Sequence, residues 1–279
     1  MSAKPWWVDL AKAHVLVEDE FTWSLLAATW SDVDVRVEHV GGDETVRGMV
    51  NDAHLRNVTT VFGVRDRDFS VSSGWAGVSP SYRLERHEAE NYLLDFAALA
   101  PLAGDSAAAV EDAATTFARD CCAWMAARRV LGEINGGLVE HFPQLPGPSQ
   151  QAPLTLDAAV ARVRDATYWQ GLNKKLKQHW TDRALEGLVH QHHETFEDEV
   201  SSGKWITTFS GKEVLQHLRG KFTGLTKRGA SKVNEVDLAK LVARQWHAHH
   251  RVPLELANLL AEIKRRSKLT APTPSTPPR

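Results

Sequence analysis

The sequence predicts an α/β domain with a parallel sheet flanked by helices, followed by a mainly helical C-terminal region. Two observations carry this. Through the first hundred residues, short β-type apolar runs alternate with longer runs of helical periodicity. After residue 100 the strand-type runs stop and helical periodicity takes over. The pattern divides the chain into an α/β domain over 1–100, a helical region over 101–267 and a disordered Pro-rich tail over 268–279.

Each element has its own signal. HVLVE (14–18) is a compact apolar run of strand length. EFTWSLLAATW (20–30) places Phe21, Leu25 and Ala28 on one helical face. VDVRVEHV (33–40) alternates with period two and is rich in valine, as a strand requires. Gly41 and Gly42 end it, and Asp43 is placed to cap a helix over about 44–56. TTVFGV (59–64) is the third strand. Strand–helix–strand–helix–strand in this order implies parallel pairing through right-handed crossovers. SVSSGWAGVSPS (70–81) is loop-like, a short strand is expected at 82–85, and EAENYLLDFAALA (88–100) has helical character. Beyond residue 100, HFPQLPGPSQQAPLT (141–155) interrupts the helical pattern, which resumes over 156–200 and 211–267. No internal repeat is present.

The totals exclude several classes. With 279 residues and 43% hydrophobic content, the chain can bury a real core. A formal net charge of −2 gives no global attraction to polyanions, so nucleic-acid binding would need a local basic face. No window has the length and apolarity of a membrane span, and the N-terminus lacks a signal-peptide layout. The two cysteines, Cys121 and Cys122, are neighbours, an arrangement poorly suited to a disulfide and unlike a zinc motif. The expectation is a cytoplasmic protein without a membrane partner.

The chemistry concentrates at strand ends. In a parallel sheet the C-terminal strand ends share one edge, and ligands bind where strand order reverses. Glu18 ends the first strand, and Asp66 and Asp68 follow the third. In an extended segment the two aspartates face one way and Arg65 and Arg67 the other. Converging carboxylates repel unless protons or a cation relieve them. Magnesium favours such hard oxygen ligands, and a metal so held activates water or clamps the oxygens of a phosphodiester. The alternative is a set of ordinary loop acids. Against it stands the combination of an acid after strand one with Asp-x-Asp after strand three.

VLVEDE, the following Gly-Gly and VFGVRDRDF together resemble the TOPRIM fold of topoisomerases, primases and OLD-family nucleases. RHEAENYLLD (86–95) is similar to the segment that follows Asp-x-Asp in standalone TOPRIM-like proteins related to the OLD nucleases, including phage-defence effectors. FSGKEVLQHL (209–218) resembles a weaker Gly-Lys motif of their helical part. The resemblance is concentrated over 14–95. It implies a nuclease that uses Mg2+ or Mn2+ to cleave DNA or RNA. Glu18 would be a metal ligand or general base, and Asp66 and Asp68 metal ligands. Glu88 and Glu90 would add carboxylates, Glu90 matching better, and Lys212 would neutralise the scissile phosphate. Two positions depart from the pattern. Relatives often carry Gly after the first Glu and an acid four residues beyond it, where this chain has Asp19 and Thr22. Asp19 or Glu20 would have to compensate.

Other features have plainer readings. Acids at a helix start are favoured in any protein, which is the bland account of Glu88 and Glu90. Lys212 reads on its own as a surface lysine and His87 as a loop histidine rather than a ligand. His190 with Glu194, and His247 with His250, share helical faces that read as solvated. Basic stretches at 172–180, 218–232 and 264–268 are either phosphate-tracking patches or solvated faces. Most of the ten tryptophans sit among apolar residues, so core packing is expected. The sequence contains no P-loop, so control by ATP would require a separate ATPase subunit. A phospho-receiver would also begin VLVEDE, but it needs a lysine after its fifth strand, and none occurs between Asp68 and Lys174. A catalytically silent TOPRIM-like binding module is the remaining alternative. DNA versus RNA, endo versus exo action and oligomeric state leave no mark in the sequence.

Overall fold

A computed structural model describes residues 12–32, 34–68, 72–75, 79–136, 155–169, 181–222 and 234–269. The break expected over 141–155, the basic segment 172–180, most of 218–232 and the end of the tail lie outside these residues. The chain divides into two compact units, one formed by residues 1–93 with 233–279 and the other by 94–232. This division does not follow a single cut near residue 100, because the last two helices belong to the first unit.

The first unit is α/β. Its five strands are β1 (Ala13–Val17), β2 (Val35–His39), β3 (Val61–Arg65), β4 (Gly74–Trp75) and β5 (Ser81–Arg83), in the order β2-β1-β3-β5-β4. All pairings are parallel except β4 with β5. The segment read as loop over 70–81 therefore contributes an edge strand, too short for its two residues to show periodicity. Helix α1 (Glu20–Trp30) crosses from β1 to β2, and α2 (Asp43–Leu55) from β2 to β3. The first crossover moves one way along the sheet and the second moves back. Right-handed crossovers of opposite direction put their helices on opposite faces and leave a crevice at the reversal, between the ends of β1 and β3.

One face is sealed by α2, whose Val46, Val50 and Ala53 pack with Leu16 and Val61. Gly63 sets how closely helix and strand approach. A Cβ there would lie 2.9 Å from Val46 Cγ1 and 3.0 Å from Ser81 Oγ. Val46 is fully buried, so it has no room to yield. Gly63→Ala is expected to cost about 1–3 kcal/mol by overpacking, read as a lower denaturant midpoint. An unchanged midpoint would contradict this packing.

Along its length α1 packs against α9 (Glu235–Ala248), with α10 (Leu254–Leu269) close by. Trp30 Nε1 donates to the Leu256 carbonyl at 2.9 Å, and Lys264 pairs with Asp32 at 2.8 Å. Glu255 accepts hydrogen bonds from Tyr82, Tyr92 and the Glu85 backbone N–H, which ties α10 to the segment after β5. Burial pushes the Glu255 carboxyl upward while these donors pull it back.

The second unit is helical in its described residues: α3 (Phe96–Ala103), α4 (Ala107–Asp120), α5 (Cys122–Gly136), α6 (Leu156–Trp169), α7 (Asp182–Ser201) and α8 (Gly211–Leu218). Trp205 and Phe209 pack edge to face, as do Phe196 and Phe209, inside it. Among the described residues Trp30, Trp124, Trp205 and Trp246 are buried, as core packing predicts, while Trp23 and Trp75 are half-buried. Cys121 and Cys122 are free and buried, and burial pushes both thiols up to about 12, which keeps them protonated and unreactive. Among the described residues no helix is long and apolar enough to cross a membrane.

Candidate metal centre

The crevice between β1 and β3 collects the acids. Glu18 follows β1 directly, and its Oε1 accepts the Asp66 backbone N–H at 3.2 Å. Asp66 follows β3, and its Oδ1 accepts the Ala89 N–H at 2.9 Å. That bond caps a five-residue 3-10 helix, Ala89–Leu93. The continuous helix expected over 88–100 is instead this short turn followed by α3, which restarts at the Asp95 cap. The division lets Glu88 and Glu90 turn inward. Both are 6% exposed, unlike acids on a solvated helix start.

The segment 86–92 is braced by its own side chains. Arg86 Nη1 donates to the Asn91 carbonyl at 2.6 Å, and the guanidinium lies 4.7 Å from the Tyr92 ring centre. The Glu88 N–H donates to Asn91 Oδ1 at 3.0 Å, and the Asn91 N–H donates back to the Glu88 carbonyl at 3.1 Å. The residues of this motif that carry no charge into the crevice thus hold those that do.

Asp68 does not continue the strand direction. Its φ is +47°, in the left-handed region that Asp tolerates better than most residues. Two bonds hold it there: its N–H donates to the His87 carbonyl at 2.8 Å, and its carbonyl accepts His87 Nδ1–H at 2.7 Å. The extended geometry expected for Asp66 and Asp68 is therefore replaced by a turn. His87, read from the sequence as a loop histidine, is 1% exposed. With its proton on Nδ1 its lone pair lies on Nε2, 3.7 Å from Glu88 Oε1. A backbone carbonyl fixing one ring nitrogen leaves the other suited to a metal. Asp68, His87 and Glu88 each offer a ligand atom within 4.8 Å of the others.

The electrostatics show one coupled cluster. Burial lifts the Asp66 carboxyl well above the ordinary range, and Glu90, Glu18, Glu88 and Asp68 push it the same way. Burial also lifts Glu18 to about 7, helped by Asp43 and Asp68 and opposed by the Asp66 N–H. The structure thus brings together Glu18, Asp66, Asp68, Glu88 and Glu90. Lys212 belongs to the other unit, where it is exposed in the first turn of α8.

Two further acids take roles other than those expected from the sequence. Asp43 does not cap α2. It is the first helical residue, and its carboxylate pairs with Arg65 at 2.7 Å. An arginine ending a buried strand needs a counter-charge, and the acid that opens the preceding helix supplies it. Asp19 caps α1 by accepting the Thr22 N–H at 2.7 Å, and Glu20 is exposed. Asp19 is thereby committed to the helix, and Thr22 is buried.

Histidines of the two His-rich stretches find partners within and beyond their own helices. His192 lies 3.1 Å from Glu133, His193 lies 3.5 Å from Glu197, and His247 Nε2–H donates to the Ala28 carbonyl. In the basic stretch at 264–268, Arg265 and Arg266 both pair with Glu262.

No family model matches the chain, and no curated protein or solved structure matches it either.

Proposed function

We propose that the chain is a divalent-metal-dependent nuclease of TOPRIM-like arrangement, hydrolysing phosphodiester bonds of DNA or RNA. One observation carries the reading: four carboxylates, Glu18, Asp68, Glu88 and Glu90, act on a fifth, Asp66, at the sheet's reversal point. Such convergence is costly without a counter-charge, and all-oxygen donors with one imidazole suit Mg2+ or Mn2+. Asp66, Asp68, Glu88 and Glu90 would hold the metal, and His87 Nε2 adds a donor that Mn2+ accepts more readily than Mg2+.

The bound cation would supply positive charge to the phosphodiester and acidify its attacking water. Glu18 is held by the Asp66 N–H through one oxygen, and its partial exposure leaves the carboxylate accessible. A carboxyl near 7 is matched to accept the water proton at neutral pH. The water oxygen bonds to phosphorus, the bond from phosphorus to the leaving oxygen breaks, and that oxygen takes a proton from solvent, giving a phosphomonoester and a hydroxyl. Control by ATP would come from a separate ATPase subunit, as in a phage-defence effector.

The test is cleavage of plasmid, single-stranded DNA and tRNA with Mg2+, Mn2+ or EDTA. Cleavage of at least one substrate with metal, and none in EDTA, is the expected result. The commitment of Asp19 to capping favours a second reading, a silent TOPRIM-like module. Absence of both cleavage and calorimetric metal binding would put that reading first.

A further inference from the structure

Glu255 stands in the first turn of α10, where an acid is ordinary because the helix dipole favours it. Its surroundings are less ordinary. Its Oε1 accepts the Tyr82 hydroxyl at 3.1 Å and the Glu85 backbone N–H at 2.7 Å, and its Oε2 accepts the Tyr92 hydroxyl. The two hydroxyls belong to different structures. Tyr82 lies on β5, while Tyr92 lies on the 3-10 helix Ala89–Leu93 that carries Glu90. One half-buried carboxylate therefore joins the sheet, the C-terminal helix and the turn of the candidate metal centre.

That turn is short enough to move as one piece. A 3-10 helix has about three residues per turn, so Tyr92 stands about 240° round the axis from Glu90. Glu90 acts on Asp66 in the crevice, and Tyr92 reaches the other way to Glu255. At its start the turn is pinned by Asp66, which accepts the Ala89 N–H at 2.9 Å. Near its end it is pinned by Glu255, through the hydroxyl of a fully buried ring whose centre lies 4.7 Å from the Arg86 guanidinium. The two pins differ. Asp66 would have to share its carboxylate with a bound cation, whereas Glu255 gives its oxygens to the two hydroxyls and the Glu85 N–H. Hydrogen bonds to an ionised carboxylate are among the stronger ones, and outer supports of this kind fix the direction of metal ligands.

We propose that Glu255 is a positioning residue for the metal centre. Acting through the Tyr92 hydroxyl, it fixes the rotation of the turn and so the direction of Glu90. The inference rests on the metal-binding reading above. It makes the C-terminal helix part of the site without contact to the cation. Such coupling is reciprocal, so a cation in the crevice also strengthens the hold of α10 on the turn.

The experiment is Mn2+ binding to the full chain, followed by loss of the free-ion electron paramagnetic resonance signal, in Tyr92→Phe and Tyr82→Phe. Each variant keeps its ring and loses one hydroxyl bond to the same carboxylate, so both should melt lower in EDTA. A merely structural role would therefore affect the two alike. Tyr92→Phe should bind Mn2+ about tenfold or more weakly, the scale of a lost outer partner, while Tyr82→Phe stays within about twofold of the wild type. Glu255→Ala should weaken binding as much as Tyr92→Phe, and combining the two should weaken it no further, as for residues acting through one bond. Equal Mn2+ affinities of the two tyrosine variants would overturn the proposal, and so would additive losses in the double variant. Either result leaves the metal centre standing. Failure of the wild type to bind Mn2+ would overturn both.

Discussion

Asp66→Asn is expected to abolish metal-dependent cleavage while making the metal-free protein more stable. The two effects share one cause. Asp66 is a partly buried carboxylate surrounded by four others, and every one of these influences opposes its charge. Asparagine keeps an oxygen to accept the Ala89 N–H, so the cap on the 3-10 helix survives. What disappears is the central charge, and with it both the repulsion and the metal's main ligand. Activity should fall by two orders of magnitude or more, the scale on which loss of transition-state charge stabilisation is felt. In EDTA the melting temperature should rise, by about 2–4 °C for each 1 kcal/mol of repulsion removed. Manganese should stabilise the wild type and leave the variant unmoved. A variant that melts lower than wild type in EDTA would show that Asp66 serves packing rather than a site.

The second large effect is a pH dependence centred on Glu18. Its carboxyl stands near 7 in the folded protein, against an ordinary value of 4.5. Between those values the folded state binds more protons than the unfolded one, so this group's contribution falls as pH rises. The contribution is complete below about 4.5 and lost above about 7. For a partly exposed group the loss is on the order of 2 kcal/mol after solvent screening. Glu18→Gln removes it, so the gap in melting temperature between wild type and variant should swing in the variant's favour from pH 5 to pH 8 in EDTA. A cation held by the neighbouring carboxylates reverses the preference, because its positive field favours the ionised form of Glu18. The stabilisation that Mn2+ gives the wild type should therefore grow over the same range, with protons released on binding. Parallel melting curves for the two proteins across this range would sink the assignment.

The local features were legible in the sequence. The apolar runs near 14–18 and 59–64 are β1 and β3, displaced by a residue or two, because a fully buried strand must be apolar along its length. Helix α1 spans the expected residues, since its periodicity is a local property, while Asp19, expected as a compensating acid, serves as its cap. The placement of Glu18 and Asp66 at one edge also followed, because parallel strands joined by crossovers must end on the same side.

Tertiary structure decided what local rules could not. The stretch 88–100 has helical composition, yet it is a 3-10 turn and a separate helix. Asp66 captures the Ala89 N–H and Asn91 folds back on Glu88, bonds to partners that periodicity does not register. His87 became part of the crevice because Asp68 turned through positive φ onto it. Asp43 left its capping role for Arg65, a residue far along the chain whose buried charge outweighed a helix end in water. The strongest case is α9 and α10. They follow the helices of the second unit in sequence, but they cover α1 and anchor through Glu255. A helix must bury its apolar face, and the sequence determines that face and not which surface will cover it.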